Sequence, residues 1–197
     1  MDDPPAPLAP PPDASVLHDA ALTYLARYAA TETGLLRVLL RRIDRWSQQS
    51  RAAGADPDTV TVGTAAAAAA ARSVVAQLAA AGAVNDAAFA ESKVRSLTRA
   101  GRSRRAIGAH LTAKGVGTET QRQTLAESDG NDELAAALVL ARRRHIGPFC
   151  QGDPPDADGH RRELGILARA GFSQDVARRA LAFDPAEAEE VVNRLRR

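Results

Sequence analysis

Along most of the chain, apolar positions recur every three or four residues, the period of a helix with one buried face. Leu17, Ala21, Leu25 and Tyr28 predict a first helix over about 15–30. Leu35, Leu39, Ile43 and Trp46 predict a second over 34–47, entered at Thr31 or Thr33. Gly54, Pro57 and Gly63 punctuate a polar stretch, 48–63, that reads as a loop. A third helix, 64–81, should stop at Gly82, and Asn85 or Asp86 should cap a fourth over 86–100 that stops at Gly101. Ser103 caps a fifth, 104–114, ended by Gly115. Thr118 opens a sixth with Gln121 three residues on, the pattern of a capping box. Helices at 132–145, 159–170, 174–182 and 186–195 follow, the last with Asp184 as cap and Pro185 at its first position. Val60-Thr61-Val62 is the only strand-like run and is too short to matter, so the fold class is all-α.

Two stretches superimpose when shifted by 56 residues: "LTAKGVGTETQRQTL" from Leu111 and "LARAGFSQDVARRAL" from Leu167. In each, a glycine (Gly115, Gly171) ends one helix in a left-handed turn, an apolar residue (Val116, Phe172) enters the joint, and Thr118 or Ser173 caps the next helix. A long helix precedes each pair, which makes the unit three helices in about fifty residues. The first helices fit the same plan more loosely. The expected organisation is a Pro-rich, acidic, disordered tail at 1–13 and repeat 1 at 14–82 with the loop insertion 48–63. Repeat 2 follows at 83–127, repeat 3 at 131–183 and a C-terminal helix at 184–197. Repeats too small to complete a core alone stack end to end, so the expectation is an elongated tandem array and a monomer.

Composition sharpens this. Aromatics are 4% of the chain and alanine dominates its apolar content, which suits thin helical layers. Net charge is only +2, but residues 92–124 hold Lys93, Arg95, Arg99, Arg102, Arg104, Arg105, Lys114 and Arg122 against a single carboxylate, Glu119. Such asymmetry points to a polyanionic partner for the middle of the chain. Glu91, Arg95, Arg99 and Arg102 fall on one helical face, while Phe89, Ala90, Val94 and Leu97 take another. Arg104 and Arg105 sit in the first turn of the fifth helix, where the helix dipole disfavours cations. Arg142, Arg143 and Arg144 end the seventh helix, where cations suit the dipole. The candidate binding set is therefore Arg95, Arg99, Arg102, Arg104, Arg105, Lys114, Arg142, Arg143 and Arg144. No aromatic platform lies beside this set, so contacts should be electrostatic and poorly sequence-specific.

Other chemistry is thin. His18, His110, His145 and His160 share no metal-ligand spacing, and Asp153, Asp156 and Asp158 lack the glycine and closing glutamate of a calcium loop. Cys150 stands alone, and phosphate-binding and dinucleotide fingerprints are missing, so neither metal nor cofactor is expected, and no enzyme. The N-terminus lacks the pattern of a signal peptide, and 65–81 contains Arg72, Ser73 and Gln77, which argues against a membrane span. Those signs read as cytoplasmic.

Three blocks, in order, carry a resemblance: "ALTYLARYAATETGLLRVLLRRIDR", "GAVNDAAFAESKVRSLTRAGRSRRAIGAHLTAKGV" and "RRELGILARAGFSQDVARRAL". Together, over about residues 20–182, they resemble the RecX family of RecA regulators. The run Gly82-Ala83-Val84-Asn85-Asp86-Ala87-Ala88-Phe89-Ala90 is similar to that family's G-L-L-D-D-x-x-F-A joint, with Asn85 where Asp is usual. The first block departs by lacking a glycine after its second helix, running Arg41-Arg42-Ile43-Asp44-Arg45-Trp46 instead. The resemblance implies a tandem three-helix-repeat fold that binds the RecA recombinase filament on single- or double-stranded DNA and modulates, usually inhibits, it. It implies no catalytic residues. Two other readings fit the same residues. One is a helix-turn-helix transcription factor using Gln121, Arg122 and Gln123 at base edges. The other is a protein-interaction scaffold that never touches DNA.

Overall fold

Side-chain caps set most helix starts in the structure, a computed structural model that describes residues 9–127, 130–152 and 155–196. Among the described residues the elements are all helical. In order they are α1 (Ala14–Leu25), α2 (Glu32–Ala52), α3 (Pro57–Ala80), α4 (Asp86–Arg99) and α5 (Arg104–Lys114). Then come α6 (Thr118–Glu127), α7 (Gly130–Arg144), α8 (Ala157–Arg169), α9 (Gln174–Leu181) and α10 (Pro185–Arg196). A single 3-10 turn, Gly147–Phe149, lies between α7 and α8. The all-α expectation holds.

The chain divides into two compact units, residues 1–89 and 90–197, with the boundary inside α4. In unit 1, α3 packs on α2 and α1. Leu17 and Ala21 of α1 meet Leu35, Leu39 and Ile43 of α2 and Ala67, Ala71, Val74 and Leu78 of α3. Small Ala67 and Ala71 let the helices approach closely, at the cost of little buried area each. The N-terminus of α2 is satisfied twice. Thr31 Oγ1 accepts from the Gly34 amide at 2.9 Å, and the Asp86 carboxylate accepts from the Glu32 amide at 2.9 Å. Asn85 meanwhile caps α4, accepting from the Ala88 amide at 2.9 Å. The Asn-Asp pair of the joint thus serves two helix starts.

Three expectations about unit 1 are corrected. The loop placed at 48–63 is mostly helix, because α2 runs on to Ala52 and α3 begins at Pro57. Pro57 is a helix start and not a loop breaker: Asp56 accepts from the Thr59 amide at 2.8 Å, and a first-turn proline loses no hydrogen bond. Gly63 lies inside α3 under the Trp46 ring, where an added Cβ would come within 2.8 Å of it. The second correction concerns the tail. Residues 1–8 lie outside the described residues, but 9–13 are held: Trp46 Nε1 donates to the Ala9 carbonyl at 2.8 Å, and Asp13 caps α1. The third is that α1 ends at Leu25, so Tyr28 leaves the apolar stripe and is exposed. By length and apolar content alone α3 could cross a bilayer. In unit 1 its Val60, Ala67, Ala71, Val74, Val75 and Leu78 face is buried.

Unit 2 is centred on α7, which packs against α9, α10 and α8. Leu134, Leu138 and Val139 meet Leu167, Phe172, Leu181 and Val192. Gly115 and Gly171 both take left-handed backbone, at φ +81° and +93°, and Val116 and Phe172 are buried beside them. Ser173 caps α9, accepting from the Val176 amide at 3.3 Å. The matching expectation for α6 fails. Thr118 is already helical, the Gln121 amide donates to the Gly117 carbonyl, and the Gln121 side chain donates to the Val116 carbonyl at 2.7 Å. An exposed glycine takes the cap, and the glutamine is used across the joint instead.

Candidate nucleic-acid interface

The basic hairpin is shaped by its turn. Gly101, at φ +76°, lets the α4–α5 corner lie directly on α7; a Cβ there would meet Val139 Cγ1 at 3.0 Å and the Leu140 amide nitrogen at 3.1 Å. Ser103 is fully buried next to it. Its hydroxyl accepts from the Ala106 amide at 3.2 Å and donates to the Ala170 carbonyl at 2.7 Å, joining the start of α5 to the end of α8. Ends of α4, α7 and α8 are thereby gathered in one place.

This geometry sorts the predicted arginines, Arg105 apart, into three groups. Arg95 and Arg99 line a hollow that also holds Glu91, Glu127 and Asp132, and Glu91 lies 3.6 Å from Arg95. Their charge is offset locally. Arg104 and Arg142 each face a carboxylate from another helix. The Glu133 carboxylate reaches the start of α5, with 3.6 Å to Arg104 Nε and 3.4 Å to the Arg104 amide. The acid that the α5 dipole calls for is present, supplied by α7. Arg142 pairs with Glu189 at 3.0 Å across α7 and α10.

The third group shares one hollow. Arg102, Arg143 and Arg144 line one hollow of about 390 Å³ together with Arg169, over Gly101, Leu140, Ile166 and Ala170. Among the described residues no carboxylate lines it. Arg143 donates to the Ala100 carbonyl at 3.1 Å, which caps the end of α4 and fixes that guanidinium. Among the described residues, Arg102, Arg144 and Arg169 have no ion pair, and all three are exposed. The C-termini of three helices offset part of the mutual repulsion, so four cations can stand together without acids. Arginine presents a planar fork matched to phosphate oxygens. The sequence pattern missed Arg169, whose only linear signal is its place just before Gly171, where the chain's repeat aligns it with Ala113.

Arg105 and Lys114 lie outside this hollow. Arg105 is exposed, its stem against Gly171. Lys114, with Lys93 and Arg102, adds to the positive field at His110. Burial first, then Lys114, Lys93 and Arg102, pushes that imidazole below its usual pKa. Its Nε2 is buried without a hydrogen-bond partner. In α6, Arg122 is gripped by Glu119 at 2.7 and 3.0 Å and Gln123 donates to Glu119 at 2.8 Å, which holds that carboxyl below its usual range. With Gln121 turned inward, the three side chains that would read base edges are all engaged. Asp156 caps α8 and Asp158 pairs with Arg161, while Asp153 lies outside the described residues. Among the described residues no three His, Cys, Asp or Glu side chains are grouped to hold a metal.

Comparison with known proteins agrees with the fold. A family model described as RecX, second three-helix domain, matches residues 85–125. The chain is 38% identical over 171 residues to the regulatory protein RecX of Myxococcus xanthus, covering 86% of each chain. It is 36% identical over 144 residues to the regulatory protein RecX of Amycolatopsis mediterranei, covering 73% of this chain and 74% of that one. The crystal structure of RecX from Lactobacillus salivarius superimposes with a TM-score of 0.56 at 18% identity, over 90% of this chain and 97% of the other.

Proposed function

The chain belongs to the RecX family of regulatory proteins, and from that premise we propose that it binds the RecA filament on DNA and restrains it, working in the cytoplasm as a binding protein and not as an enzyme. The contact surface is the arginine hollow of unit 2. One observation supports this reading: Arg102, Arg143, Arg144 and Arg169, brought from three helix ends, line a single hollow that no carboxylate among the described residues enters. Such a hollow takes phosphates or clustered acids, and its arginines have no aromatic neighbour with which to read bases. Binding through it is therefore tolerant of sequence. That favours a filament on arbitrary DNA over an operator-reading factor, whose α6 side chains would have to release Glu119 and Val116 first.

The test uses Arg102→Glu, Arg144→Glu and Arg169→Glu together, leaving Arg143 to cap α4. All three positions are exposed, so melting should change little. Inhibition of strand exchange should be lost. The slope of log affinity against log salt for single strands should flatten by about 2, from roughly 0.7 per phosphate contact. A folded variant with the wild-type slope and full inhibition would remove the hollow from the function.

A further inference from the structure

Unit 1 holds a second surface, of different chemistry. After α1 stops at Leu25, the amides of Arg27 and Tyr28 both return to the Tyr24 carbonyl, at 3.1 and 3.0 Å. That turn carries Tyr28 out, with 57% of it exposed, while Tyr24 packs partly buried against the unit 1 core. The two rings stand 5.1 Å apart at 40°. They border a groove of about 580 Å³ along α1 and α2 that is also lined by Val16, Arg27, Arg42 and Arg45. Asp19 is the only carboxylate among the described residues that lines it, and it lies 3.9 Å from His18.

We propose that this groove binds a segment of single-stranded nucleic acid, with a base stacked on Tyr28 and the phosphates on Arg27, Arg42 and Arg45. Sequence-tolerant single-strand binders combine two things: an aromatic face for bases and cations that follow the backbone. Both meet here. The tilted contact with Tyr24 and the turn at Tyr24 hold the Tyr28 ring in place, which lowers the ordering cost of binding. Val16 supplies an apolar wall for a second base face. An acidic peptide would satisfy the arginines but leave the exposed ring without a planar partner. A duplex hides its base faces in the stack, so the groove selects single strands. This surface is separate from the arginine hollow and does not depend on the reading given to it.

The experiment compares binding of an oligothymidine of about twelve nucleotides, within the site size of such proteins, with an abasic strand of equal phosphate count. Full-length Tyr28→Ala should weaken oligothymidine binding about tenfold, the order of one stacked base, and leave the abasic strand unchanged. Tyr28→Phe should behave as wild type. The same Tyr28→Ala ratio should persist when Arg102→Glu, Arg144→Glu and Arg169→Glu are present, which separates a failure of one surface from a failure of the other. Equal loss on both strands, or no loss on oligothymidine, would overturn the proposal. So would a defect confined to DNA-free recombinase, which would make the occupant a protein. Free thymidine monophosphate binding as tightly as the strand would overturn it too, since the groove would then be a small-molecule site.

Discussion

Gly82 and Gly171 follow helix ends with left-handed backbone, at φ +74° and +93°, yet their surroundings differ. Around Gly82 an added Cβ would meet nothing within 4 Å. At Gly171 it would stand 2.7 Å from Ser103 Oγ, a fully buried hydroxyl already bonded to the Ala170 carbonyl and the Ala106 amide. Gly82→Ala should therefore cost about 1 kcal/mol, the ordinary penalty of a side chain in that conformation. Gly171→Ala should cost about 1–2 kcal/mol more, because Ser103 must give up at least one hydrogen bond. Denaturant melts of the two variants check this, and equal losses would mean that Ser103 shifts without cost. Both glycines are legible in the sequence as helix stops. What surrounds Gly171 is not, since Ser103 comes beside it only by bonding the Ala170 carbonyl, 67 residues further along the chain.

Helix ends decided most of what periodicity could and could not foresee. Starts with a local acid or hydroxyl, such as Thr31, Ser103 and Asp184, are readable because cap and helix are neighbours in sequence, whereas Asp13 is lost in the acidic, Pro-rich composition of the tail. The stretch 48–63 was not. Its Gly54, Pro57 and Gly63 look alike as breakers, but only Gly54 ends a helix, while Pro57 starts one and Gly63 makes room for Trp46. The start of α5 shows the same limit in electrostatic form. Its first-turn arginines look misplaced against the dipole until α7 places Glu133 beside the Arg104 amide and guanidinium. Glu133, with a side chain only 17% exposed, should be worth about 1–2 kcal/mol there as a partly buried acid at a helix N-terminus. Glu133→Ala should lower stability by that amount. A double-mutant cycle with Arg104→Ala should give a coupling of at least about 0.5 kcal/mol, as groups in contact do. Additive losses would return Arg104 to the set of open cations.

Net charge of the whole protein, only +2, says little about where an anion binds, because charges act over short distances in salt. At physiological ionic strength the screening length is about 8 Å, so a field useful to a phosphate must be built locally. The chain has arginines on many exposed surfaces, Arg51, Arg72 and Arg162 among them. If the total charge governed binding, reversing any three would be equivalent. If the hollow governs it, position decides. The comparison is Arg51→Glu, Arg72→Glu and Arg162→Glu against Arg102→Glu, Arg144→Glu and Arg169→Glu, two variants with the same change in net charge. Near 0.15 M salt the first set should bind single strands within about threefold of wild type, since each lost charge is screened from a bound phosphate. The second should lose the flattening amount of slope, about 2, and bind more weakly by at least about tenfold. Below about 0.01 M salt, where screening extends to about 30 Å, the two variants should converge in affinity. Convergence already at 0.15 M would mean that this protein attracts DNA through its overall charge, and that the gathering of three helix ends around Arg102, Arg144 and Arg169 serves packing alone.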